Sequence, residues 1–197
     1  HIVKVEDVYV GCYTVHVVME RLEGGDLQAR LAERGRFSEE EAKVVMRQLL
    51  NAVDHLHERN IVHRDIKLES IMRTSVGDTN VKLIDFGLAT EWDGITEMSP
   101  VAGMVDFSSP EMWRGMYTEK VDLWSIGVVA YMLLTGQPLY QGSDWEICTQ
   151  AKAGRPLWCE RLHTCSAAAR DFVASLLERE PEQRISAGKA LCHPWLR

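Results

Sequence analysis

HRDIKLES, residues 63–70, is the stretch on which the reading of this chain turns. It sets a carboxylate, Asp65, two positions before an ammonium, Lys67, directly after an apolar pair, Ile61 and Val62. A second carboxylate follows in VKLIDFG (81–87), where Asp85 stands 20 residues after Asp65, at the end of an apolar run and before the flexible Gly87. Ordinary packing gives no reason to gather three such charges. Two Asp at strand or loop exits plus a Lys suit a phosphoryl group. One Asp orients the attacking hydroxyl, the other holds Mg²⁺, and the Lys neutralises oxygens.

Composition bounds the rest. At 197 residues the chain fits one domain, or most of a larger one, with a substantial core. Apolar residues make up 46% and charged residues 26%, the usual globular mix. The net charge of -7, with no Lys/Arg run, gives no footing for nucleic acid or an anionic membrane. The five cysteines (12, 148, 159, 165, 192) form no CxxC pair, so reduced thiols and a cytoplasmic location are expected. The opening HIVKVEDVYVG carries Lys4, Glu6 and Asp7 and does not read as a signal peptide. The longest apolar stretch, 121–134, contains Asp122 and is too short to span a bilayer.

Patterning predicts a few strands followed by many helices. IVKV (2–5) and TVHVVME (14–20) read as a hairpin turning near Gly11. A short helix is expected over 26–34. In FSEEEAKVVMRQLLNAVDHLHER (37–59), Ser38 and Glu41 form a capping-box pair and Phe37 and Ala42 sit at staple positions. Ala42, Val45, Met46, Leu49, Val53 and Leu56 then line one face at spacings of 3 and 4. Strand pieces are expected at 71–72 and 81–86. The 121–134 stretch is apolar nearly all round, which predicts a buried central helix.

Taken together, HRDIK, DFG, SPE (109–111), DLWSIGVVAYMLLTGQPLY and EREPEQRISAGKALCHPWL resemble the large lobe of a protein kinase, in order and spacing and along the whole chain. Lys67, EGGDL (23–27) and the HPW ending resemble the serine/threonine type and, within it, the calcium/calmodulin-dependent and calcium-dependent kinases. The resemblance implies an α+β kinase-like fold, mainly a helical C-terminal lobe (23–197) with a remnant hairpin of the N-terminal lobe and hinge (1–22). It implies ATP and Mg²⁺ as cofactors and a protein substrate, with no nucleic-acid or membrane partner.

Roles carry across by position. Asp65 matches the catalytic base and Lys67 the lysine that meets the transferring phosphate. Asp85 matches the main Mg²⁺ ligand, and Ser70 stands where a second ligand, asparagine, is usual. Met19 matches the gatekeeper, Glu20 and Leu22 the hinge that bonds adenine through its backbone, and Met72 the floor beneath it. Asp26 counts both with the nucleotide pocket and, with Glu69, among acidic positions facing basic substrate residues upstream of the acceptor; it reads equally as a helix N-cap. Glu111 and Arg184 match a buried ion pair, and Asp122 matches the Asp that braces the HRD loop. His63 and Phe86 match stacked column residues. Arg64 is expected to meet a phosphate at Thr96 or Ser99, or the charge of Glu97. His55, His57 and His63 are not read as a metal cluster, since His57 and His63 match places where kinases use histidine for packing.

The sequence departs from the family in three places. It opens at what resembles the fourth small-lobe strand, without a Gly-rich phosphate loop or strand lysine. Ser70 replaces the asparagine of HRDxKxxN. In VAGMVDFSSPE (101–111), Met104 and Val105 replace a hydroxyl residue and a proline. A shorter oxygen donor at Ser70 fits Mg²⁺ less readily, and losing one placed electrostatic group costs about 10²–10³ in rate. A pseudokinase acting as an interaction module is therefore the alternative. A small-molecule phosphotransferase is disfavoured by SPE and Arg184. No D-x-D-x-D-G calcium loop occurs.

Overall fold

The computed structural model describes residues 1–99, 101–154 and 158–197. Among the described residues the architecture is α+β, with three small antiparallel strand pairs and a helical body. Strand β1 (Val5–Val10) pairs with β2 (Val15–Met19) in a hairpin closed by the Gly11 N–H on the Thr14 carbonyl at 2.8 Å. This differs from the expected IVKV strand. Residues 1–3 run beside a later strand instead, with the Val3 N–H on the Leu83 carbonyl at 3.0 Å and the Leu83 N–H on the His1 carbonyl at 2.8 Å. The apolar character of Ile2 and Val3 is spent on that contact, and VEDVYV supplies the hairpin.

Helix α1 (Leu27–Arg34) starts where the Asp26 carboxylate accepts the Ala29 N–H at 2.7 Å. Helix α2 (Glu39–His57) carries the full capping box of Ser38 and Glu41, and its apolar stripe is buried. The chain then forms β3 (Ile61–Val62), the candidate loop, β4 (Ile71–Arg73), β5 (Val81–Leu83) and β6 (Thr90–Glu91); β3 pairs with β6 and β4 with β5. The strand expected over 81–86 stops at Leu83, because Asp85 takes a left-handed backbone with φ of 64°.

Helix α3 (Lys120–Thr135) is the centre of the body, and every residue from Val121 to Tyr131 is buried. A helix with no polar face is stable only when wrapped by others. Helices α4 (Asp144–Ala153), α5 (Glu160–His163), α6 (Ala167–Leu176) and α7 (Ala187–Leu191) complete the body. A Cβ on Gly127 would lie 2.9 Å from the Leu176 and Leu177 side chains, so the glycine sets how closely α6 approaches α3. Among the described residues, no helix is long and apolar enough to cross a membrane.

Candidate active site

The HRD loop is held from below by one carboxylate. Asp122, in the first turn of α3 and wholly buried, accepts the backbone N–H of His63 at 2.9 Å and of Arg64 at 2.8 Å. The His57 ring, at the end of α2, approaches it at 2.9 Å through Nε2. Burial alone would raise the Asp122 carboxyl, but the His57 hydrogen bond and the nearby His57 and His63 rings hold it below its ordinary value. Arg64 is a non-glycine residue with φ of 67°, a conformation that persists only when its surroundings impose it. The paired bonds to Asp122 impose it, and the resulting turn sets the direction of Asp65.

Asp65 is 9% exposed, and its Oδ2 lies 2.6 Å from Lys67 Nζ, so carboxylate and ammonium form a contact pair with little exposure to solvent. Its N–H donates to His63 Nδ1 at 3.3 Å. The ring of His63 in turn stands edge-on to Phe86 at 4.9 Å and meets the Ile84 carbonyl at 3.2 Å through Nε2. This ties the HRD loop to the segment that presents Asp85. Asp85 is exposed, its carboxylate engaged among the described residues only by a long contact from the Gly87 N–H at 3.4 Å.

Ser70 lies differently from Asp85. It is 1% exposed, and its hydroxyl accepts the Lys67 N–H at 3.0 Å and donates toward the Lys67 and Asp65 carbonyls at 3.0 and 3.3 Å. The hydroxyl thus closes the loop upon itself, and coordinating a metal would require it to leave those partners. Among the described residues, no group of three or more His, Cys, Asp or Glu is placed to hold a metal ion.

A cavity of about 560 Å³ opens beside Asp85, lined by Ile2, Val3, Val5, Val17, Met19 and the Asp85–Gly87 turn. The structure therefore brings Met19 and Asp85 to one largely apolar recess. Glu20, Leu22, Asp26 and Met72 do not line it. Glu20 is bound by Lys82 at 2.5 and 2.7 Å and accepts the Lys4 N–H at 2.7 Å, bonds that keep its carboxyl below the ordinary value. Asp26 caps α1, while its backbone bridges Met72.

A second cavity, about 460 Å³, is lined by Glu69 together with Gln28, Met104, Asp106 and Met132. Gln28 and Asp106 were not singled out from the sequence, because nothing local to either residue predicts that it shares a cavity with Glu69. Gly103 was missed as well. With φ of 80°, a Cβ there would sit 2.5 Å from the Arg64 carbonyl and 3.3 Å from Asp65 Oδ1. The segment carrying Met104 therefore packs directly on the HRD turn.

Arg64 does not meet Thr96, Glu97 or Ser99 through a hydrogen bond or ion pair among the described residues. Its Nε donates to the Leu88 carbonyl at 2.8 Å and its Nη1 to the Tyr117 hydroxyl at 3.3 Å. The segment is anchored instead by the Met98–Tyr117 bridge and by Trp92 and Met98 packed on Val62, Met112, Tyr117 and Val121. Farther along, Glu111 and Arg184 form a buried two-point pair at 2.5 and 3.1 Å. Arg184 also donates to the Glu178 and Lys120 carbonyls, both at 2.8 Å.

The family described as Protein kinase domain matches residues 1–196. The chain is 37% identical over 201 residues to calcium/calmodulin-dependent serine/threonine-protein kinase 1 of Oryza sativa subsp. japonica, covering 100% of the chain and 34% of that protein. It is 35% identical over 199 residues to calcium-dependent protein kinase 11 of Arabidopsis thaliana, covering 100% and 40%. It is 37% identical over 202 residues to a calcium/calmodulin-dependent protein kinase of Emericella nidulans, covering 100% and 49%. The chain thus spans from about a third to half of the length of these relatives.

Proposed function

The chain belongs to the protein kinase domain family, and from that premise we propose that it serves a serine/threonine protein kinase that transfers the γ-phosphoryl group of ATP to a protein hydroxyl. The observation that carries this reading is the Asp65–Lys67 pair at 2.6 Å on a turn pinned by Asp122. In our reading, Asp65 orients the acceptor hydroxyl and takes its proton, while Lys67 neutralises the oxygens of the group in flight. Kinases use ATP with Mg²⁺, and the metal offsets charge on the phosphates. The exposed Asp85 carboxylate fits a Mg²⁺ ligand; the Ser70 hydroxyl, as it is bonded, fits less well.

We assign residues 1–22 to a small-lobe remnant and hinge and 23–197 to the large lobe. Met19, Glu20, Leu22, Asp26 and Met72 then surround the nucleotide base, and Glu69 with Asp26 faces basic residues upstream of the acceptor. Asp122, Arg64, His63, Phe86, Glu111 and Arg184 hold the frame. The five cysteines, all unpaired, support a cytoplasmic location. The test is transfer from γ-labelled ATP, by the protein that contains this chain, to peptides with and without arginine upstream of a serine. Label on serine is expected, with the arginine preference lost in Glu69→Gln. No label on any hydroxyl would contradict the proposal.

One observation favours the second reading, a pseudokinase. The Ser70 hydroxyl is turned into the loop and bonded to its backbone. On that reading, Ser70→Asn with Met104→Thr would restore no transfer.

A further inference from the structure

Away from the candidate site, a small pocket of about 90 Å³ opens between α1, the start of α2 and the β4–β5 turn. Its floor is apolar and buried: Leu27, Phe37, Val45 and Val81. Arg30, Arg34 and Arg73 also line it. Two of the three guanidiniums are engaged, Arg30 with Glu33 at 3.3 Å and Arg34 with Glu41 at 2.5 Å. The carboxylates that line it are engaged as well. Glu41 also accepts the Ser38 N–H at 3.0 Å, and Asp78 accepts the Thr74 hydroxyl at 2.6 Å and the Asn80 N–H at 3.0 Å.

Arg73 is the exception. Its Nε is shut away from water with no hydrogen-bond partner, and no ion pair involves its guanidinium among the described residues. Its backbone, by contrast, is fixed on both sides, the N–H on the Gly25 carbonyl at 3.0 Å and the carbonyl under the Gly24 N–H at 3.2 Å. A half-buried arginine, held at its backbone and without an ion pair beside an apolar floor, is half of a binding site.

We propose that this pocket binds the side chain of a glutamate in an acidic partner peptide. Three features select that occupant. One unpaired guanidinium matches one negative charge through its two terminal nitrogens, the Nε being shut away. A dianionic phosphate would bring a second charge against Glu41 and Asp78, which already line the walls. The volume equals about three water molecules, room for one carboxylate and its methylenes but not for a larger head group. The methylenes lie on Phe37 and Val45, and the head meets Arg73. The pocket shares no residue with the cavities at the catalytic loop, so this inference stands apart from the phosphoryl-transfer reading.

The experiment titrates the chain with acetyl-Leu-Glu-Leu-amide and, separately, its glutamine counterpart, following backbone amides by two-dimensional NMR. The glutamate peptide should shift Gly77 and Thr79 saturably, and the glutamine peptide should bind at least about tenfold more weakly, the loss of one charge-assisted pair. Arg73→Met, if its circular dichroism is unchanged, should show the same loss. Acetate should compete, and inorganic phosphate should compete less well. Equal binding of the two peptides, no saturable shift, full binding by folded Arg73→Met, or phosphate outcompeting acetate would each overturn the assignment. Should Arg73→Met fail to fold, the two peptides on the unaltered chain decide the matter alone.

Discussion

Replacing Asp122 by alanine should destabilise the chain far more than a surface change. The carboxylate, fully buried, accepts from the His63 and Arg64 backbones and meets the His57 ring. His63 is itself fully buried, so its stranded N–H finds no water, a loss of about 2 kcal/mol. Arg64 is half-buried and recovers part of its hydration, leaving about 1 kcal/mol. The His57 side chain, 12% exposed, can turn toward solvent and adds little. The left-handed turn at Arg64 loses its restraint as well, which brings the total to about 3–4 kcal/mol. With a urea slope of about 2 kcal/mol/M, the midpoint should fall by about 1.5–2 M at pH 7. Asp122→Asn should lose about half as much, because its amide oxygen serves one N–H while its NH₂ opposes the other. The folded carboxyl titrates below its ordinary 3.8, so the contribution is intact above about pH 3.8. The gap between wild type and Asp122→Ala should hold steady from pH 7 to 4 and close only as pH falls through the depressed value. A midpoint within about 0.3 M of wild type for the alanine variant would refute this account of the loop.

Other positions give equally definite expectations. Glu111→Gln should cost about 3–5 kcal/mol by leaving the Arg184 guanidinium buried without its counter-charge, read by the same urea titration. Gly103→Ala should cut transfer about 10²-fold and lower stability as well, since alanine is strained at φ of 80° and its Cβ would press on the Arg64 carbonyl and shift the segment packed beside Asp65; kinetics and melting together check this. Glu41, drawn down to about 2 first by the Arg34 hydrogen bond and then by the Ser38 N–H, contributes stability that is complete above pH 4.5 and lost as pH falls toward 2. Glu41→Ala should therefore flatten the stability profile over that window, by about 1 kcal/mol, since the carboxylate is a third exposed.

Much of the fold could be read locally. The Ser38–Glu41 capping box and the 3-and-4 spacing are sufficient to place α2, and an apolar run with no polar face is sufficient to bury α3. The hairpin was legible as a type but not in register, because Ile2 and Val3 find partners on β5, far along the chain. The same limit applies at the site. HRD and DFG mark Asp65 and Asp85, but the side-chain directions of their neighbours depend on tertiary contacts. Ser70 reads as an oxygen donor facing the site and is found bonded into its own loop. Arg64 reads as a phosphate receptor and is found bonded to Leu88 and Tyr117. Gly103 carries no local mark; the need for glycine there comes from the Arg64 carbonyl, which packs against it from a distant loop.

The measurement that bears most directly on the central claim is a paired one on the protein that contains this chain, comparing wild type with Asp65→Asn. Transfer of γ-labelled phosphate from Mg²⁺–ATP and equilibrium binding of the same nucleotide are recorded side by side. If Asp65 is the base, as its pairing with Lys67 at 2.6 Å suggests, transfer should fall about 10²–10⁴-fold while nucleotide affinity changes little. Equal transfer by the two proteins, or no transfer by either, would contradict the account.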